Sequence, residues 1–449
     1  MKYQTQNVAL YYFVGALVLF LAQVTFGALA GAIYVWPNLL AESLPFNVIR
    51  MIHTNSLIVW LLMGFMGAAY YLVPEEAETE IYSPLIAKIQ FWLFLFGGAA
   101  AIVGYLMGIH GGREFLEQPL WIKLAIVVVM LMFLFNLSMT VLKGRKTAVS
   151  MIMIVGLWMV ALLFLFAFYN PVNLVLDKVF WWFVVHLWVE GVWELIMASI
   201  LAFLMIKLTG VDREIVEKWL YLIVSLALFT GLLGTGHHYY WIGTPGYWQW
   251  IGSVFSTLEV APFFAMVLFT FYMVWKGGRK HPNSAAILWA LGCSVFAFFG
   301  AGVWGFLHTL ASVNYYTHGT QVTAAHGHLA FYGAYVMVNL AIMTYALPKL
   351  LGREPYRQTL NMWGFWVTSS GVAFMTFTLT FAGVIQAHVQ RFLGESYMDV
   401  QDQMVFFYQL RLGSGIVVVI GAFIVVYSLL VPERETQRVK VPGQQQPAE

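Results

Sequence analysis

Six histidines lie near one end of long apolar stretches of this sequence, where an ionisable side chain is costly and by default marks a functional site. At 1.5 Å per helical residue, all six fall within about 15 Å of the same outer face. Histidines distributed by chance would not share one depth, so we interpret them as one layer of cofactor ligands. They are His53, His186, His237, His238, His326 and His328.

The pair His326 and His328 is spaced for two cofactors rather than one. Residues two apart on a helix point about 200° away from each other, so one metal cannot easily bind both imidazoles. Two flat macrocycles on opposite flanks of the helix can each take one. His53 could then supply the second axial ligand of one macrocycle, which would leave the other five-coordinate and reactive.

The remaining three histidines can converge on a metal ion together with a carboxylate. His186 and Glu190 are four residues apart, which places them on one helical face about 6 Å apart. His237 and His238 diverge by about 100°, yet near a helix end their side chains could still reach one metal. Since Cys293 is the only cysteine, iron–sulfur clusters and covalently attached haem c are excluded.

Five further histidines are interpreted as hydrogen-bonded or solvated residues. A single histidine in a membrane helix is more often a polar contact between helices than a ligand. These residues are His110, His281, His308, His318 and His388.

The elements that must position the six histidines are membrane-spanning helices. Hydrophobic residues make up 61% of the 449 and charged residues only 10%, against about a quarter in soluble domains. This composition excludes a soluble fold, a disordered chain and a nucleic-acid binder. A span needs about 20 apolar residues, and twelve such runs follow one another with short connections. We therefore predict an all-α integral membrane protein with a single transmembrane domain over 1–449 and a disordered tail at 432–449. The predicted spans are 11–35, 50–73, 86–107, 120–142, 149–169, 178–206, 219–241, 250–275, 284–310, 321–348, 361–388 and 404–430.

Lys and Arg predict the orientation in the membrane. The connections after spans 4, 6, 8 and 10 carry three basic residues each, whereas those after spans 7 and 9 carry none. Basic loops stay in the cytoplasm, so both termini are expected there, with the histidine layer near the opposite, outer face. The acidic cluster Glu75, Glu76, Glu78 and Glu80 is then interpreted as a solvated cytoplasmic loop.

Three segments resemble signature motifs of a known family: HLWVEGVWE (186–194), GTGHHYYW (234–241) and AAHGHLAFYGAY (324–335). They are similar to the haem–copper oxidase superfamily and, within it, to the catalytic subunits of bacterial cytochrome-c-dependent nitric oxide reductases. The resemblance covers all twelve spans and implies a bundle of that type. It also implies a set of ligands: His53 and His328 for a low-spin haem b, His326 for a high-spin haem b3, and His186, His237, His238 and Glu190 for a non-haem iron.

Glu190 decides between branches of that superfamily. An oxygen-reducing relative usually has a tyrosine four residues after the first metal-binding histidine, and this sequence has Glu190 there. Carboxylate with imidazole suits iron better than copper. A quinol-fed relative would carry a long N-terminal extension, which is absent here. We therefore expect electrons from a membrane-anchored cytochrome c subunit, itself reduced by soluble cytochrome c or a cupredoxin.

Four more carboxylates receive roles or alternatives. Glu194 and Glu259 match glutamates implicated in proton supply or in shaping the diiron site, although Glu194 could equally be a paired polar contact. Glu114 matches a position that helps to bind calcium, with a solvated loop as the alternative. Glu117 is interpreted as a solvated loop residue.

The resulting hypothesis is a nitric oxide reductase catalytic subunit of the bacterial inner membrane that converts two NO to N2O and water. No obvious string of polar residues follows the cytoplasmic halves of the spans, which favours proton uptake from the outer side. Two alternatives stay open. One is an oxygen-reducing terminal oxidase of the same superfamily, and the other is a haem-free transporter with twelve helices.

Overall fold

The computed structural model describes residues 2–277, 282–353 and 356–432. Within these ranges, twelve helices are long and apolar enough to cross a membrane, and no strand is present. The predicted all-α, multi-pass architecture is confirmed, while His281 and most of the predicted tail (433–449) lie outside the described residues. In chain order the helices are α1 Gln4–Val35, α2 Phe46–Ala77, α3 Pro84–Leu106, α4 Leu120–Lys143, α5 Ala148–Phe168, α6 Leu174–Thr209, α7 Arg213–Tyr239, α8 Tyr247–Lys276, α9 Ser284–Thr309, α10 Gln321–Leu350, α11 Gln358–Phe392 and α12 Tyr397–Leu430.

Capping residues set where several helices begin. The side chain of Asn173 accepts a hydrogen bond from the N–H of Leu176, which starts α6 at Leu174 rather than at the predicted residue 178. His186 therefore lies one turn deeper in the bundle than its sequence position indicated. The side chain of Thr147 caps α5 in the same way by accepting from the N–H of Ser150.

Three helices form the centre of the bundle and carry four of the six histidines of the ligand layer. In α2, α6 and α10, 83%, 83% and 89% of the most apolar stretch is buried inside the protein, against 22% in α3. His53 lies on α2, His186 on α6, and His326 with His328 on α10. We call the end of the bundle at which α2, α6 and α10 begin the ligand end, and the other the termini end.

Four helices depart from α geometry beside the ligand layer. A π turn occupies Trp188–Val192 in α6, another Tyr332–Val336 in α10, and a longer π segment Phe298–Gly305 lies in α9. Helix α7 ends in a 3₁₀ turn over Thr235–Tyr239. Such turns change the direction of side chains within a continuous helix and are frequent at functional sites.

The termini end is closed by paired charges, which corrects one expectation. Glu76 lies inside α2 and is 1% exposed. Its carboxylate accepts from the hydroxyl of Thr147 at 2.7 Å and from the guanidinium of Arg213 at 2.5 and 2.9 Å. The prediction of a solvated loop is wrong for Glu76, because these donors replace water, whereas Glu78 and Glu80 are exposed.

A buried polar network also lies in this half of the bundle, where no string of polar residues was expected. The hydroxyls of Tyr12 and Tyr70 both donate to the side-chain oxygen of Gln90, at 2.7 and 2.9 Å. The amide of Asn136 donates to the Tyr70 hydroxyl at 3.4 Å. The network joins α1, α2, α3 and α4.

Candidate metal centre

Four of the predicted ligands come together at the ligand end. The potential ligand atoms of His186, Glu190, His237 and His238 all lie within 4.8 Å of one another. The Glu190 carboxylate is 3.5 Å from Nδ1 of His186, 3.7 Å from Nε2 of His237 and 3.9 Å from Nε2 of His238. Among the described residues this is the one cluster of three or more such side chains with ligand spacing. Its role as an iron site stays a prediction.

The four side chains of the cluster lie in or beside backbone segments that depart from α-helical geometry. His186 and Glu190 were expected on one face of a regular helix, but the π turn of α6 begins between them. His237 and His238 lie in the 3₁₀ turn that ends α7, with ring centres 4.2 Å apart. Adjacent residues in a 3₁₀ turn still project about 120° apart, so the conformations of the two side chains bring the imidazoles together.

Hydrogen bonds fix the orientation of two imidazoles through the ring nitrogen that faces away from Glu190. Nε2 of His186 donates to the carbonyl oxygen of Gly231 at 2.7 Å, while its Nδ1 is buried and forms no hydrogen bond. Nδ1 of His237 lies 2.8 Å from the hydroxyl of Ser256. Metal-binding histidines typically use one nitrogen for the metal and donate the other N–H in this way. The nitrogens that face Glu190 are therefore free to bind a metal.

His53 and His328 face each other across a gap. Their ring centres are 6.4 Å apart and their planes 25° from parallel. Nδ1 of His53 donates to the carbonyl of Gln23 at 2.8 Å, and Nδ1 of His328 to that of Ala324 at 2.7 Å. Gly27 makes room, since a Cβ there would lie 2.5 Å from the ring of His53. Both Nε2 atoms are thus left to point into the gap.

His326 points away from that pair, as its spacing from His328 predicts. Its Nδ1 lies 3.1 Å from the carbonyl of Gly300, in the π segment of α9. His326, the His53–His328 gap and the four-residue cluster all line one cavity of about 860 Å³. Its size and its histidine lining are consistent with more than one large cofactor.

The two predicted proton-handling glutamates lie beside the cluster. Glu194 is 6% exposed and follows Glu190 by one turn in α6. Glu259, on α8, has one buried carboxylate oxygen without a hydrogen-bond partner. This carboxylate packs directly against Gly234 of α7, where any side chain would collide with it. Their roles in proton transfer stay predictions.

The connection before α4, at the ligand end, holds Glu114 and Glu117 in different environments. Glu114 lines the cavity and forms an ion pair with Arg50. Glu117 is 3% exposed and accepts from the amide of Asn55 at 2.9 Å. Burial raises the pKa of Glu117, and the hydrogen bond from Asn55 opposes the rise. The solvated-loop interpretation of Glu117 is therefore wrong.

Two residues that contact the cluster were not predicted from the sequence. The indole of Trp182 stacks on His238 with ring centres 4.2 Å apart and planes 10° from parallel. Ser256 contacts His237 from a different helix. Neither carries a sequence signal, because tryptophan and serine are common in membrane spans and each contact joins distant parts of the chain.

His308 was interpreted as a hydrogen-bonded histidine, and its contacts agree. Its Nδ1 lies 2.8 Å from the hydroxyl of Thr317, and its Nε2 lies 3.1 Å from that of Thr323. The ring is buried 6.0 Å from that of His326. With both nitrogens occupied by hydroxyls, His308 has no free ligand atom.

Comparison with known proteins shows which family this chain resembles. The family model of cytochrome c and quinol oxidase polypeptide I matches residues 7–417. A nitric oxide reductase subunit of Stutzerimonas stutzeri is 54% identical over 98% of this chain and 97% of its own length. A cytochrome c oxidase subunit 1 homologue of Agrobacterium tumefaciens is 24% identical over 88% of this chain and 77% of its own.

A solved structure agrees with the bundle. A haem–copper terminal oxidase dimer superimposes with a TM-score of 0.75 at 18% identity, covering 96% of this chain and 84% of the oxidase chain. At that identity the likeness shows the fold alone, and it confirms the predicted bundle type. The family match and the 54% identity together show that this chain belongs to the cytochrome c and quinol oxidase polypeptide I family of oxidoreductases and, within it, to the nitric oxide reductase branch.

Proposed function

We propose that this chain is a catalytic subunit of denitrification that couples two NO molecules, two electrons and two protons to give N2O and water. The observation that carries the proposal is the Glu190 carboxylate, which lies 3.5–3.9 Å from nitrogens of three imidazoles. A site with three imidazoles and a carboxylate suits non-haem iron. Joining two NO molecules needs no tyrosyl radical, whereas oxygen cleavage in the oxidase branch uses a tyrosine at this position.

The histidine pairs fit two b-type haems. Two imidazoles that bind one metal from opposite sides, with metal–nitrogen bonds of about 2 Å, hold their ring centres about 6 Å apart. The 6.4 Å separation of His53 and His328 matches this, so the pair would hold the low-spin haem b. His326, directed the other way, would bind the high-spin haem b3, and the four-residue cluster the iron. When bound, these groups would supply the electrons for the reaction and the metals that bind NO.

The protein side chains would orient the metals and handle protons. Hydrogen bonds to Gly231 and Ser256 fix the imidazoles of His186 and His237, so the site need not reorganise during the reaction. Glu190 would serve as ligand and acid–base group. Glu194 and Glu259 would hold protons for delivery, because buried carboxylates in the membrane tend to stay neutral.

Calcium at Glu114 stays a proposal that needs ligands from outside this chain. Calcium takes six to eight oxygen ligands. The described residues place Arg50 against Glu114 and show no further acidic cluster with ligand spacing there. Propionate groups of a haem or a partner subunit would have to complete such a site.

We place the chain as one transmembrane catalytic domain, residues 1–449, in the bacterial inner membrane with both termini in the cytoplasm. The ligand end would then face the periplasm. A membrane-anchored cytochrome c subunit, reduced by soluble cytochrome c or a cupredoxin, would deliver electrons at that face. The distribution of Lys and Arg supports this orientation.

The test compares two gases on the purified complex. With an excess of reduced electron donor, we expect NO to be consumed and N2O to appear at one molecule per two NO. Oxygen should be consumed more slowly than NO at equal concentration. Faster oxygen than NO consumption would support the terminal-oxidase alternative. A complex without a Soret band would support the transporter instead.

A further inference from the structure

Glu190 lies in a turn that is not α-helical. The segment Trp188–Val192 forms a single π turn, and the backbone of Glu190 has φ −108° and ψ 36°. The orientation of its carboxylate toward the three imidazoles depends on this turn staying in place. In a regular α-helix the same residue would project from a different point of the helix surface.

The π turn withdraws the normal hydrogen-bond donor from the carbonyl of Val189. In an α-helix the N–H of Trp193 would donate to Val189, four residues earlier. Here this N–H donates to the carbonyl of Trp188, five residues earlier. The hydroxyl of Tyr335, on α10, donates to the Val189 oxygen. Because a buried carbonyl that lacks a donor is costly, this hydroxyl stabilises the π turn over the α alternative.

Packing keeps Tyr335 in position for that bond. The side chain is 3% exposed, and its ring meets Trp193 edge to face with centres 5.3 Å apart and planes at 88°. The ring also contacts Phe65 of α2 at 6.2 Å and 85°. Tyr335 lies in the π turn of α10, so the π turns of the two central helices are joined through its hydroxyl.

Helix α7 blocks movement of the turn on its other side. A side chain at Gly231 would collide with the backbone carbonyl of Glu190. The carbonyl oxygen of Gly231 itself accepts from Nε2 of His186. The backbone around Glu190 is thus enclosed by Gly231 on one side and by the hydroxyl of Tyr335 on the other.

We propose that Tyr335 is a positioning residue for the metal centre, whose hydroxyl holds the π turn that aims Glu190 at the iron. The inference rests on the proposed function, from which it takes the iron and its ligands. Tyr335 itself binds neither metal nor substrate in this account. It acts only through the backbone of Val189.

The test is Tyr335→Phe in the full complex, with Tyr332→Phe as the matched control. Tyr332 lies three residues earlier in the same π turn, is buried, and bonds the hydroxyls of Thr368 and Ser369 at 2.9 Å, away from α6. Tyr335→Phe keeps the ring and removes only the hydroxyl. We expect it to lose non-haem iron to a chelator about tenfold faster than the wild type, as is typical when a group supporting a metal ligand is removed.

A second measurement reports the turn directly. Hydrogen exchange of the peptide 186–194 should accelerate in Tyr335→Phe and stay unchanged in Tyr332→Phe, while the low-spin haem spectrum of both variants stays native. Wild-type iron retention and exchange in Tyr335→Phe would overturn the inference. So would an equal loss in Tyr332→Phe, or loss of both haems with the iron, since each points to general packing. The two variants could behave as expected in iron retention and hydrogen exchange while the wild-type complex fails to reduce NO. That result would contradict the proposed function and still support the role of Tyr335.

Discussion

Two clusters at opposite ends of the bundle bury ionisable side chains in different ways. At the termini end, Glu76 is matched by donors from Thr147 and Arg213. At the ligand end, Nδ1 of His186 and one carboxylate oxygen of Glu259 are buried without a hydrogen-bond partner. A buried polar atom without a partner costs free energy, and beside a cluster of potential ligands a metal ion or a proton can offset that cost. The cluster around Glu76 holds helices together, and the cluster around Glu190 keeps polar atoms available for chemistry.

Among the variants considered, His186→Ala should have the largest effect on the metal centre at the ligand end. It removes one imidazole of the metal cluster and none of the proposed haem ligands. We expect the non-haem iron to be lost or weakened, the haem-to-protein ratio to stay near two, and NO reduction to fall by about three orders of magnitude because two NO molecules are no longer held together. Iron and haem analysis with an NO electrode checks this.

The complementary variant is His328→Ala, which should erase the low-spin haem signal. Retention of all non-haem iron in His186→Ala together with loss of a haem would show that the ligands are assigned wrongly.

Glu190→Gln should keep both haems and reduce NO consumption by about a hundredfold, because the iron loses an anionic ligand and the site an acid–base group. Gln is nearly isosteric, so the π turn and the three imidazoles should stay in place. Steady-state NO consumption and the low-spin spectrum are the measurements. Turnover at the wild-type rate would remove Glu190 from any essential role.

Glu259→Gln tests whether the carboxylate that has an oxygen without a hydrogen-bond partner takes part in proton transfer. The metal inventory should stay intact, while proton-coupled turnover slows by about tenfold, as for a group that supports the site without binding metal. NO consumption measured across pH checks this. A variant with normal turnover at every pH would exclude Glu259 from the proton route.

At the termini end, Glu76→Ala should change stability and not chemistry. It leaves Arg213, which is 29% exposed, with only Glu217 as a partner, so we expect a loss of about 2 kcal/mol in stability and a lower melting temperature, with iron and haem content unchanged. Glu78→Ala is the matched control, because its pair with Arg145 is more than half exposed and contributes at most about 1 kcal/mol. Loss of iron in Glu76→Ala would contradict the claim that the Glu76 cluster serves stability alone.

Sequence patterns predicted the twelve helices because membrane spans must be long and apolar. They also predicted the set of histidines, because ionisable residues in spans are rare. They could not predict the π turn at Glu190, whose stabilising hydroxyl comes from Tyr335, distant in the chain. Glu76 and Glu117 were misjudged for a similar reason, since their partners Arg213 and Asn55 lie on other helices.

The ratio of metals to haem in the purified complex is the measurement that decides whether the cavity holds two haems and a non-haem iron. After subtraction of iron bound in the haem c of the partner subunit, we predict two b haems and one non-haem iron per chain, with no copper. Site-specific loss of only the non-haem iron in His186→Ala would assign it to the four-residue cluster. One copper per chain in place of the third iron, or two irons with no third metal, would contradict the account.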